Sequence, residues 1–238
     1  MKSRGFLKFL GLATAAGAAA YGAYAWNAWA NYGRPKRPRP EESDPLLDEF
    51  LPEYEVVERH HIAVQAPADV TLGVACDIDF EDSGLIRGII RMRELLLGAT
   101  GRRRELPHGL IAKTTALGWG RLAEIPGRQI VMGASTQPWM ADVVFRALPP
   151  EEFAAFSEPE YVKIAWTLRA DPVTAESCVF RTETRVIACG APAREPFRKY
   201  WALLSPGIIL IRLALLGPVK REAEARARKR IGPQSTAV

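Results

Sequence analysis

The sequence predicts an α+β fold in which a curved antiparallel sheet grips a long C-terminal helix. Two adjoining stretches carry that expectation. Residues 176–190 (ESCVFRTETRVIACG) alternate as a long strand, with Cys178, Phe180, Thr182, Thr184 and Val186 on one face and Arg181, Glu183 and Arg185 on the other. The chain then runs straight into a helical pattern: Phe197, Trp201 and Leu204, followed beyond Pro206 by Ile208, Ile209 and Leu213. A one-sided strand feeding an amphipathic helix leaves a cavity between sheet and helix, which suits an apolar ligand better than a charged reaction centre.

The remaining elements follow in order. Phe6 to Ala30 is apolar and small apart from Lys8. As a helix it rises ~37 Å, enough for a hydrocarbon core of about 30 Å. Lys2, Arg4 and Lys8 lie at one end and Tyr21, Tyr24, Trp26 and Trp29 at the other, where amphipathic rings favour the membrane interface. The segment reads as a single N-terminal transmembrane anchor. The alternative is a cleaved signal peptide leaving a secreted chain, since A-x-A sites occur at Ala23–Ala25 and Ala28–Ala30. Basic residues on both flanks leave the orientation open.

Gly33 to Pro45 is rich in proline and charge and reads as an extended linker, with LLDEFLPEY after it docking on the domain. Val56–Val64 is the first strand, with Glu58, His60, Ile62 and Val64 on one face. Pro67 opens a short helix through Val74, and residues 81–97 form a second, capped by Asp82 or Ser83. Residues 101–105 are a basic loop. Strands are expected near 113–124 and 128–134, joined at Pro126-Gly127, and again over 142–148. Residues 149–156 form a helical turn. Val162, Ile164, Trp166 and Leu168 alternate inward along the next strand, and 171–175 turn the chain into the last one. Helices gathered on one face of such a sheet define the class.

The chain of 238 residues has a formal net charge of +5, unevenly spread. Residues 1–40 carry seven basic and no acidic side chains, and residues 212–238 seven basic and two acidic, so the body between is net acidic. That argues against a nucleic-acid surface on the domain and fits ends lying near anionic lipid headgroups. Basic residues at 226–230 equally suit the C-terminal end of a helix dipole. Cys76, Cys178 and Cys189 have no CxxC spacing and read as small buried residues.

Motifs for catalysis are scarce. His60 and His61 point to opposite faces of their strand and His108 lies in a loop, so no metal site is expected. Gly118-Trp119-Gly120 lacks the basic residue and helix start of a phosphate loop. Glu183 between Arg181 and Arg185 reads as the solvent face of a strand, with ion pairs worth under about 1 kcal/mol. Trp119, Trp139, Trp166, Phe180, Tyr200 and Trp201 are candidate cavity-lining residues, and each serves equally as ordinary core. Thr182 and Thr184 could orient a ligand's polar group, and His60 is the most plausible acid or base on the inward-facing side.

Four stretches carry a resemblance to START-like domains (the SRPBCC superfamily of polyketide cyclase/dehydrase and lipid-transport proteins). HIAVQAPADVTLGVACDID resembles the opening of such domains and LAEIPGRQIVMGA their early hairpin. FRTETRV leading into FRKYWALLSPGIILIR resembles the close of a bacterial, membrane-anchored branch. The likeness spans residues 54–228 and implies a helix-grip fold with a cavity of the kind that holds lipids, polyketides, hormones or quinone-like molecules; it assigns no catalytic residue and no cofactor. Cys189-Gly190 departs from the polar helix start expected there. The organisation is then an anchor over 1–32, a linker over 33–53, a helix-grip domain over 54–230 and a disordered tail over 231–238. The expected function is binding of a hydrophobic small molecule beside a membrane surface, without nucleic acid. A cyclase- or dehydratase-type enzyme, or an interaction module with a filled core, are the alternatives.

Overall fold

A computed structural model describes residues 2–79, 84–98 and 105–231. The caps at Asp82 and Ser83, the basic loop over 101–104 and the tail beyond 231 lie outside the described residues. The element order is α1 (Lys2–Ala30), α2 (Pro45–Asp48), β1 (Val56–Val64), α3 (Ala68–Asp77), α4 (Gly84–Leu97), α5 (Leu110–Ala116), β2 (Gly120–Ile125), β3 (Gln129–Thr136), β4 (Phe145–Arg146), α6 (Pro150–Ala155), β5 (Val162–Thr174), β6 (Ser177–Ala188) and α7 (Ala191–Ile231). The class is α+β: a six-stranded antiparallel sheet in the order β1-β6-β5-β3-β2, with β4 on β3, and one long C-terminal helix.

The concave face is the core. Alternation along β6 places Cys178 and Phe180 on it, beside Trp166, Leu168 and Ala170 of β5 and Ile130 and Met132 of β3. Helix α3 supplies Leu72 and Val74, and the second half of α7 supplies Leu215, Leu216, Val219, Ala223 and Ala227. Removing this apolar surface from water, at about 25 cal/mol per Å², is what clamps α7 to the sheet. Prolines at 196, 206 and 218 lie within α7. A proline beyond the first turn of a helix removes one backbone donor and bends the axis, which lets a 41-residue helix follow the sheet.

The convex face is covered as well. Leu47 and Leu51 pack with Leu122, Val131, Ala165 and Phe153 of α6. Small residues make the room: a Cβ on Gly133 would lie 2.5 Å from Leu122 Cδ1 and 2.9 Å from Phe153 Cε2. Helices α3 and α7 do share one face, but α2 and α6 occupy the other. The segment expected to be a linker thus contributes a docked strap: Asp44 is 2% exposed, caps α2 at Leu47 N and accepts two hydrogen bonds from Gln129 Nε2 at 2.8 and 2.9 Å.

Three local expectations change. Residues 110–116 are helical instead of forming a strand from 113, closed off by Gly118 at φ +102°. The strand over 142–148 shrinks to Phe145–Arg146. Asp171 to Thr174 continue β5, with a register shift between Pro172 and Thr174, so the turn moves to Ala175-Glu176.

Among the described residues one helix, Ala191–Arg230, is long and apolar enough to cross a membrane. Its second half packs against the sheet, however, as a core helix does. The N-terminal segment forms α1, whose aromatic end docks antiparallel on the first half of α7. Arg198 donates to Trp29 O from Nε at 3.0 Å and Nη2 at 2.8 Å, and its guanidinium lies 4.1 Å from the Trp29 ring. Tyr24 Oη pairs with Ser205 Oγ at 3.1 Å, and the Tyr21 hydroxyl donates to Leu203 O.

Candidate functional site

Register sets the site. β1 pairs with β6 so that Glu58 faces Thr184 and His60 faces Thr182. β5 pairs with the other side of β6, placing Trp166 opposite Thr184 and Leu168 opposite Thr182. These residues share the concave face. From above, Arg212 of α7 puts its guanidinium 5.6 Å from the Trp166 ring centre and Nη1 3.4 Å from Thr182 Oγ1. The result is a polar group of five, Glu58, His60, Thr182, Thr184 and Arg212, set into an apolar layer at the β1 edge of the sheet.

The group is poorly satisfied. His60 Nε2 and Thr184 Oγ1 are buried without a hydrogen-bond partner among the described residues. Glu58 Oε2 is 3.6 Å from His60 Nε2, too long for a hydrogen bond. Burial dominates the acid–base chemistry. It lowers the pKa of Arg212 to about 10, with Glu58 opposing part of the effect, so the guanidinium stays charged at neutral pH. Burial raises the Glu58 pKa, which Arg212 and Lys36 partly counter. Burial, and then the charges of Arg212 and His61, push the His60 pKa down, leaving a neutral imidazole at pH 7. A fixed cation, a neutral imidazole, two hydroxyls and a carboxyl group inclined to protonate can hold a polar headgroup or exchange a proton with it.

The nine residues singled out in the sequence divide into two clusters. His60, Thr182 and Thr184 join Arg212, with Trp166 and Phe180 in the same core layer and Trp119 edge-on to Trp166 at 6.0 Å. Trp139, Tyr200 and Trp201 belong to a second cluster with Phe197, Val56, Val162 and Val186, capped by Ala28 and Tyr32. That cluster ties α7 to the α1 end of the domain. Glu58 and Arg212 are the additions the structure makes. Arg212 had a signal in the sequence: it is the lone charge in the run PGIILIRLALLGPV.

The opposite faces of the same strands correct the solvent-face reading of Glu183. Glu183 is 5% exposed and Arg185 1%. Arg185 donates from Nε to Glu183 at 2.7 Å and from Nη1 to Asp48 at 2.5 Å and Leu51 O at 2.9 Å. Arg59 adds bonds to Glu183 at 2.9 Å and to Tyr54 Oη at 2.7 Å. The docked strap turns a charged strand face into a buried network.

Two grooves open beside the concave layer. One of about 700 Å³ lies between α5 and the sheet edge, against Cys76, Ile111, Thr115, Arg121, Glu124 and Ile130. The other, about 380 Å³, separates the end of α3 from α7 at Val74, Ile78 and Pro218. Among the described residues no group of three or more His, Cys, Asp or Glu could hold a metal ion. His108 Nδ1 instead meets Asp79 at 2.8 Å, which Lys113 also contacts.

No protein-family model matches the chain, and no curated protein matches it. Among solved structures it is similar to a norcoclaurine synthase point mutant from Thalictrum flavum, at 14% identity and TM-score 0.35 over 72% of this chain and 95% of that one. It is similar to the di-domain aromatase/cyclase BexL, at 16% identity and TM-score 0.29 over 71% and 46%. The ZhuI aromatase/cyclase from Streptomyces sp. R1128 is matched at 12% identity and TM-score 0.23 over 76% and 99%. At these scores the likeness carries no argument about fold or activity.

Proposed function

We propose that the chain is a membrane-tethered domain that binds a hydrophobic small molecule, of lipid, isoprenoid or polyketide-like character, between the concave sheet and α7. The observation that carries this reading is the unsatisfied polar group inside an apolar layer. A domain that used this interface only to hold itself together would gain by filling those positions with apolar side chains. The tether is the apolar stretch from Phe6 to Ala30 with basic residues before it. Leu203, Leu210 and Leu213 on α7 and Met92, Leu95 and Leu96 on α4 are further exposed apolar side chains. Tethering raises the local concentration of a membrane-dissolved ligand at the cavity mouth.

The test is native mass spectrometry with lipid extraction on protein purified from membranes of its host. A stoichiometric hydrophobic molecule lost in Trp166→Ala is expected. A clean apo mass from gently extracted wild type would count against the carrier reading and favour a filled interaction module.

A second reading, a cyclase- or dehydratase-type enzyme, draws on one observation: His60 is neutral, its Nε2 is unpaired, and Glu58 stands 3.6 Å away. Its test is a bound molecule that loses water on the wild type. If the same mass change occurs on His60→Ala, this version is removed.

A further inference from the structure

The polar group under α7 has a sign. Arg212 brings a positive charge and, among the described residues, forms no ion pair; its hydrogen bond to Thr182 at 3.4 Å is long. Holding a guanidinium beneath protein without an anion costs several kcal/mol. Around it the unused groups can all donate. Thr184 Oγ1 carries a hydroxyl proton, and the neutral His60 ring can place its proton on the unpartnered Nε2. A planar cationic fork with two further donors on one face matches a carboxylate, which accepts through both oxygens.

Glu58 narrows the class further. Its carboxyl group shares the site and is coupled to Arg212. The charged form of Glu58 would oppose a dianionic phosphate with twice the charge of a carboxylate, so a singly charged head is favoured. The side chains of Glu58 and His60 keep 22% and 14% of their surface accessible, which puts the head at the β1 edge, where solvent reaches. Trp166 and Leu168, packed in the core, are the apolar side chains on the inward side of the group.

Building on the function proposed above, we propose that Arg212, with Thr182, Thr184 and His60, receives the carboxylate of an amphiphilic ligand. The group is a binding site and Arg212 its specificity determinant. Ligand entry gives Arg212 a directly paired anion and satisfies the two orphaned donors in one step.

The test compares decanoate, decanol and decyl phosphate on the full chain in non-ionic detergent, with occupancy read by native mass spectrometry. Hydrogen bonds to a charged partner predict that decanoate binds at least about tenfold more tightly than decanol, with decyl phosphate weaker than decanoate. Arg212→Met should bring decanoate down to the level of decanol and leave decanol unchanged. Arg212→Lys should keep part of the preference, and Thr184→Val should weaken decanoate alone, which keeps the test decisive if Arg212→Met does not fold. Equal binding of decanoate and decanol by the wild type overturns the carboxylate assignment while the cavity stands. So does a preference that survives Arg212→Met, and tighter binding of decyl phosphate overturns the singly charged class. Absence of binding by all three overturns the cavity itself.

Discussion

The two faces of β6 use the same kinds of residue to opposite ends. On the convex face Arg185, Glu183 and Arg59 are buried and joined to Asp48, Tyr54 and Leu51 O, with Arg59 Nε the one orphaned atom of that set. On the concave face Arg212, His60, Thr182 and Thr184 are also covered, yet among the described residues Arg212 is in no ion pair, with Glu58 acting on it only from a distance, and His60 Nε2 and Thr184 Oγ1 lack hydrogen-bond partners. One residue step along a strand separates the two arrangements. The difference teaches that burial of charge alone does not mark a site. Completed networks hold a strap in place, and incomplete ones leave capacity for something that arrives from outside.

Breaking the completed network should have the largest effect. Arg185→Met leaves Glu183 and Asp48 without their main partner, and a loss of about 3–5 kcal/mol is expected, measured by chemical denaturation. A loss below 1 kcal/mol would mean the convex face is not held by its charges. Next comes Asp44→Ala, which removes the α2 cap and the acceptor for Gln129. It should cost about 1–3 kcal/mol and speed proteolysis between Gly33 and Tyr54.

The concave face should respond with the opposite sign. Without ligand, Arg212→Met is expected to lose nothing and to gain up to about 1 kcal/mol, since it removes a largely covered charge that is in no ion pair among the described residues. Destabilisation comparable to Arg185→Met would put Arg212 among the structural charges and erase the contrast.

The smallest expected effect is on pH dependence. The folded-state pKa of His60 lies below its ordinary 6.5. The folded protein therefore binds fewer protons than the unfolded chain in this range. Its contribution is fully present above about pH 6.5 and is lost as pH falls through the depressed value. The fall in melting temperature below pH 6.5 should be shallower in His60→Gln than in wild type. Identical slopes would place His60 outside the buried group.

Ligand binding and stability respond in opposite ways to these changes, which separates the two faces experimentally. Arg185→Met should lower stability while leaving the decanoate preference intact in whatever fraction folds. Arg212→Met should do the reverse.

Much of this contrast was legible in residue order. The alternation Cys178, Phe180, Thr182, Thr184, Val186 assigned the inward face of β6, and the turn at Pro126-Gly127 set the β2–β3 hairpin. The period of a strand is fixed by its backbone, so such patterns survive without tertiary information. Arg212 was visible too, as one cation in an apolar run, but helical periodicity alone does not say which side meets the sheet. The helix over 110–116 was hidden because the adjacent β-branched Thr114 and Thr115 favour strands over helices; packing of α5 on α3 decides it.

What the amino-acid sequence determined by itself was therefore local: an apolar N-terminal segment, a strand with two chemically different faces, and an amphipathic C-terminal helix directly after it. Those features depend on residues a few positions apart. Tertiary structure alone decided that Asp44, Asp48 and Leu51 reach across to Gln129 and Arg185, making a charged strand face into interior. It also brought Arg212 over Thr182 and Trp166 from thirty residues or more away. Burial, and with it the worth of a charge, belongs to what lies above a residue in space, and the neighbours that matter there are distant in the chain.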